Sequence, residues 1–334
     1  MHLKKAALTL VLLTIISLAT PYIFADTNSA HANTHVPNLS GRVIILDPGH
    51  GIGSTNIFRG YNEQVAMLNL ALRIKPLLEA QGATVLMTRS TGENVTLPAR
   101  TAMINIWALE ALLEAHLKFT LQTEKDTANA NSEQTLDTAS EAEHTDLDTT
   151  YKIKRLIGIM QTIIDNPDDN ATRLKNTPFD ANRTAHPYLR QIFELQNDPL
   201  IAENFLVISL HSNATHRPIN TRMHGATAYH ISNAHTNTRH YFGGFAHEAR
   251  SHDFATILLA HIERTGFQNL GPRSGNFFIL REHNIPAVLA ENGFHTNDND
   301  RTRLMNSRFM DRLALAYLTA ITEYFNNPPL QSYE

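Results

Sequence analysis

The sequence predicts an α/β fold: a mostly parallel sheet flanked by helices, with a helical insertion. Three observations carry this expectation. A strand, a helix and a second strand follow one another between Val43 and Thr88, the order of a βαβ unit. Short apolar runs with the character of buried strands return late in the chain, at Phe205–Leu210 and Ala287–Ala290. Three of these runs lead into a residue able to bind metal or move a proton: His50, His211 and Glu291. The strand ends of a parallel sheet converge on one edge, which is where open α/β sheets bind ligands.

The first strand is Val43–Leu46, a β-branched and apolar run stopped by Asp47-Pro48-Gly49. Proline cannot donate to a strand ladder, so the chain leaves the sheet there and presents His50. Glu63 opens a helix in which Val65, Leu68, Leu72 and Leu77 recur at helical spacing, with Gly82 as its stop. Thr84–Thr88 is the next strand, and a helical pattern runs from Leu97 to about Lys118. Residues 107–200 then show helical signals only and are expected as an insertion inside the domain. Its 123–150 segment is rich in acids and nearly free of apolar residues, which fits a flexible loop or a polar helix running outward. Within the insertion, Ile153, Leu156, Ile157, Met160 and Ile164 form an apolar stripe that needs a partner. Ala226–Ile231 and Phe277–Leu280 are expected as further strands, with helices over His252–Thr265 and Phe309–Phe325.

Composition narrows the function. The 334 residues carry a formal charge of −4 and no cysteine. A nucleic-acid partner is not expected without a basic footprint. Without cysteine, disulfides and thiolate metal sites are excluded. Lys4 and Lys5 precede an apolar stretch, Ala6–Leu18, and Ile23-Phe24-Ala25 resembles a cleavage site. Residues 1–25 therefore read as a signal peptide, with an uncleaved anchor as the alternative, and 26–40 as a linker before a domain over 41–327. The expected location is periplasm, wall or extracellular space, with no stable membrane anchor once the leader is cleaved.

His50 and His211 with one carboxylate, Glu63 or Glu291, make a donor set suited to catalytic zinc, and the other carboxylate fits a general base. Position alone leaves a second reading open. Strand-end histidines often bond backbone, Glu63 would suit the positive end of its helix, and Glu291 would suit an arginine partner. The motifs VIILDPGHG, YNEQVAMLNLA, LMTR with LPARTAMIN, ISLHSNA and NFFILREHNIPAVLAENGF together resemble the zinc-dependent N-acetylmuramoyl-L-alanine amidases of the family-3 type. The resemblance implies one zinc per chain on His50, Glu63 and His211, Glu291 as the catalytic glutamate, and peptidoglycan as substrate. It also touches Arg89, Arg100 and Asn105, for which capping and ion pairing are expected. Asn213 and Asn292 are expected as substrate contacts. An exported zinc peptidase acting within the stem peptide, or a silent wall-binding or activator protein, are the alternatives. The 107–200 insertion departs from simpler members and offers a position for a regulatory protein. The segment after ISLHSNA is short where cell-division members carry an occluding regulatory helix, so regulation of their kind is not expected.

Overall fold

The computed structural model describes residues 38–53, 56–129, 136–166, 187–215, 221–234 and 244–326. The expected leader and most of the expected linker lie outside them. The first strand expected from sequence is β1 (Val43–Pro48), which lies inside a six-stranded sheet with β4 (Thr84–Met87) and β5 (Phe205–Asn213) on either side. Beyond β5 come β8 (Ala287–Phe294), β6 (Ala226–His230) and β7 (Asn269–Ser274), giving the order β4-β1-β5-β8-β6-β7. The first four are mutually parallel; β6 runs antiparallel to β8 and parallel to β7. Two short strands, β2 (Ile57–Phe58) and β3 (Tyr61–Asn62), form a separate hairpin just before the first helix.

Side-chain alternation along the strands divides the core in two. On one face Ile44, Leu46, Leu206, Ile208, Leu210, Val288 and Ala290 pack beneath helices α1 (Glu63–Glu79), α6 (Glu248–Glu263) and α9 (Ser307–Asn326). On the other, Ile45, Val207, Ala287 and Leu289 meet α2 (Leu97–Asn129), α3 (Leu136–Asp165) and α4 (Pro187–Leu195). Helix α3 thus joins the core on this face. Its stripe points inward: Ile153, Leu156 and Met160 are buried against Ala108, Leu109 and Leu112 of α2 and Ile192 of α4.

Two expectations are corrected. Phe277–Leu280 is not a strand; α7 (Phe278–Arg281) is a single helical turn that buries Ile279 and Leu280 while Phe277 stays partly exposed. A four-residue apolar run satisfies either geometry. The edge strand is instead β7, NLGPRS, whose half-exposed polar residues give no apolar alternation. The second correction concerns helix length: α2 runs past Lys118 to Asn129, and α3 already begins at Leu136. The described parts of the acidic segment are therefore helical. A short α5 (Pro199–Asn204) leads directly into β5, and α8 (Asp298–Met305) follows β8, its start capped by Asn297. Among the described residues no helix is long and apolar enough to cross a membrane.

Candidate metal centre and active site

His50 follows β1 in the left-handed region at φ 61°, a conformation that costs a non-glycine residue free energy and must be held. Two buried arginines hold it. Arg89 donates to the carbonyls of Pro48 and Gly49, at 2.8 Å each, and to Gln64 at 2.8 Å. Arg100 donates to the Pro48 carbonyl at 2.7 Å and to the His50 carbonyl. It also pairs with Asp47 at 2.6 Å, both groups being almost completely buried. Burial alone would raise the Asp47 carboxyl, but Arg100 with the hydroxyls of Ser209 and Thr88 holds it below its ordinary value. The capping and ion-pairing roles expected of Arg89 and Arg100 are what the geometry supplies. Gly49 is required for a different reason: a Cβ there would lie 2.4 Å from the His211 ring.

His211 and Glu291 are register partners on adjacent strands β5 and β8 and share a sheet face. Glu63 enters from the first turn of α1 and joins the two histidines. Its Oε1 lies 3.1 Å from His211 Nδ1, and its Oε2 lies 3.3 Å from His50 Nε2. The Ser212 backbone N–H donates to Oε1 at 3.0 Å. One donor atom from each of His50, Glu63 and His211 lies within 4.8 Å of the others, and the two rings meet edge to face at 4.9 Å. Burial opposes ionisation of Glu63, but the hydrogen bonds and positive character of His211 and His50 outweigh it, so its carboxyl stays well below the usual range. The site therefore holds a fixed anion between two imidazoles.

Glu291 has the opposite electrostatics. Burial pushes its carboxyl up to about 7; His211 pulls it down and Glu63 pushes it further up. Its Oε2 is buried and has no hydrogen-bond partner among the described residues. An unpartnered buried carboxylate oxygen is costly, and at a functional site it marks a group left free to exchange protons. The donor set fits a borderline-soft divalent cation such as zinc: two imidazoles, one carboxylate and an open side. Beside it lies a cavity of about 300 Å³ reaching His50 and His211, walled by Leu97, Phe277, Phe278 and Leu289 with Asp47 and Ser209 deeper in.

The two asparagines separate. Asn213 ends β5 half-buried, where a bound molecule can reach it. Asn292 does not face the site, which corrects its expected role as a substrate contact. Next to Glu291 in a strand it must point to the opposite face, and it is fully buried there. Its amide donates to the carbonyls of His211 and Ala290 and accepts from the Tyr317 hydroxyl at 2.8 Å. It braces the two strands that carry the site. Asn105 is likewise structural, donating to the Glu282 carbonyl and accepting from Gln196.

Three further groups, Tyr61, Asn56 and His295, lie at the site, and of these Tyr61 falls inside the motif YNEQVAMLNLA. Tyr61 donates to the Ser212 hydroxyl at 2.8 Å, and Ser212 contacts His295 Nδ1 at 3.0 Å, behind Glu63. Asn56 touches His50 and Glu63 from the loop before β2. His295 is adjacent to the motif that ends at Phe294, which is the one hint it offers, and Asn56 lies in a stretch with no periodicity.

The fold and donor set define an α/β protein with a candidate metal site at its strand edge. The chain belongs to the N-acetylmuramoyl-L-alanine amidase family, whose profile (Amidase_3) matches residues 44–127 and 123–323. Curated relatives include the N-acetylmuramoyl-L-alanine amidase CwlM of Bacillus licheniformis, 38% identical over 60 residues (18% of this chain, 24% of that protein). Another is the probable cell wall amidase LytH of Staphylococcus saprophyticus, 41% identical over 75 residues (21% and 26%). The chain spans about a quarter of the length of the curated relatives it matches. Among solved structures, an N-acetylmuramoyl-L-alanine amidase from Clostridium difficile 630 aligns with TM-score 0.48 and 14% identity, over 86% of this chain and 98% of that one.

Proposed function

We propose that this chain is an exported zinc hydrolase that cuts the amide between N-acetylmuramic acid and the L-alanine of the peptidoglycan stem peptide. The observation that carries the reading is the pairing of a His50–Glu63–His211 donor set with a half-buried Glu291, the register partner of His211, whose Oε2 has no hydrogen-bond partner among the described residues. Family membership supports the choice of bond. Bound there, zinc would lower the pKa of water toward neutrality and polarise the scissile carbonyl.

The chain's own residues do the rest. Glu63 supplies the anionic donor, kept ionised by both histidines and oriented by Ser212. Glu291 takes a proton from the attacking water and returns it to the departing amine of L-alanine; general acid–base help of this kind is worth about 10²–10⁴-fold. Arg89 and Arg100 fix the turn that carries His50, so the donor geometry is set before substrate arrives. Asn213 is the remaining substrate hydrogen-bonder. Export rests on the leader over 1–25 and the linker over 26–40, followed by a catalytic domain over 41–327. Within the helical insertion over 107–200, α3 joins the core on one sheet face, and the exposed Phe119, Leu121 and Tyr151 suit a regulatory protein.

Metal content tests the reading. The purified chain should carry about one zinc and lose activity to chelators, and His211→Ala should lose the metal. His211→Ala with parental zinc content and activity would overturn the assignment.

A further inference from the structure

Asn56 lies on the loop before β2 and is held to the metal centre three ways. Its backbone carbonyl accepts from the Glu63 N–H at 3.2 Å. Its side-chain Nδ2 is 2.8 Å from Glu63 Oε2 and 2.9 Å from His50 Nε2. Those spacings resemble the 3.3 Å and 3.1 Å that the histidine and carboxylate donors keep among themselves. One terminal amide atom therefore sits where a further member of the same coordination shell would sit. The two ends of an asparagine amide have nearly the same shape, one a donor and the other an acceptor. A half-turn about Cβ–Cγ puts Oδ1 in the same place, facing any cation held by His50 and Glu63.

We infer that Asn56 is a fourth protein donor of the metal centre, an uncharged and exchangeable one that substrate displaces. This rests on the reading of His50, Glu63 and His211 as metal ligands and extends it. Two features make Asn56 the member able to leave. A neutral amide oxygen binds a borderline-soft cation less firmly than imidazole or carboxylate. The described residues around it are also loosely held, with Ile52 and Ile57 exposed and Gly53 in the left-handed region. His50, Glu63 and His211, by contrast, are tied to β1, α1 and β5. A centre built this way shields its open side at rest and exposes it when a carbonyl competes for the position.

Substitution with opposite signs tests the inference. Zinc affinity of the full chain is measured by chelator competition for the parent, Asn56→Ala and Asn56→Asp, with the cobalt(II) absorption spectrum recorded for each. Removing the donor should weaken zinc binding about tenfold and alter the cobalt spectrum. Asn56→Asp keeps the reach and adds charge, so it should bind zinc at least as tightly as the parent. A group that served only to donate a hydrogen bond to Glu63 would behave differently: Asn56→Asp would set two carboxylates together and weaken binding as well. That result, or an Asn56→Ala variant with parental affinity and spectrum, overturns the inference while leaving the three-ligand reading intact. A parent that binds neither zinc nor cobalt overturns both. Asn56→Asp, being isosteric, keeps the test readable should Asn56→Ala fold poorly.

Discussion

If Glu291 is a base kept in a desolvated place, it should cost the fold stability, and Glu291→Gln should recover that cost in a pH-dependent way. Its carboxyl is raised from 4.5 to about 7, chiefly by burial. Each tenfold change in proton affinity corresponds to about 1.4 kcal/mol, so the whole effect is about 3 kcal/mol. The sign follows from proton binding. Between the two values the native state keeps a proton that the unfolded state has lost, so stability falls as pH rises through this window. The contribution is fully present below pH 4.5 and lost once pH exceeds about 7. Glutamine has no such titration. The stability of Glu291→Gln relative to the parent should therefore rise by about 3 kcal/mol from the acid to the alkaline side of the window. A constant offset from the buried amide is expected in addition, and it does not change with pH. Urea unfolding of both proteins in chelator, at several pH values, reads the difference directly. With zinc present the gain should shrink, because a nearby cation favours the carboxylate. A difference that stays flat with pH would refute the claim that burial holds Glu291 poised.

Three further outcomes are expected. Arg100→Leu removes the partner of buried Asp47 and two carbonyl contacts on the His50 turn; unfolding should show a loss of about 3–5 kcal/mol, with weaker zinc binding. Ile157→Asp with Met160→Asp places a charge in the α2–α3 interface, where Met160 is buried, and should lower stability by about 3 kcal/mol or more in thermal melts. A double variant as stable as the parent would show that the α3 stripe is not docked. Tyr317→Phe removes a buried hydrogen bond to Asn292 and should lower stability by about 1 kcal/mol without touching zinc content.

Most of the sheet is legible in the sequence because its strands are short apolar runs that end in chemically distinctive residues. His50, His211 and Glu291 each follow such a run, and the fold brings two of them into register. Glu63 is legible as the acid that opens α1. Asn292 shows what adjacency conceals. It lies beside Glu291 in sequence, yet strand alternation sends it to the other face, which the period of a strand alone dictates. Phe277–Leu280 is ambiguous because four apolar residues suit a buried strand or one helical turn, and only packing separates them. β7 is invisible, since a half-exposed edge strand holding Gly271 and Pro272 has no period to read. The length of α2 is hidden because a polar sequence can remain helical when it runs on from a helix anchored elsewhere in the core. Asn56 gives no signal at all: its role depends on a loop returning to the site.

The central claim is which bond is cut, and identical metal chemistry would serve any amide of the wall. Purified sacculi digested by the parent, by Glu291→Gln and by the parent in chelator should be analysed by mass spectrometry of the released fragments. Peptides with a free N-terminal L-alanine and intact glycan strands are expected from the parent. At least about 100-fold less is expected from Glu291→Gln at nearly normal zinc content, and none in chelator. Fragments cut between stem amino acids, or a Glu291→Gln digest equal to the parent's, would contradict this assignment.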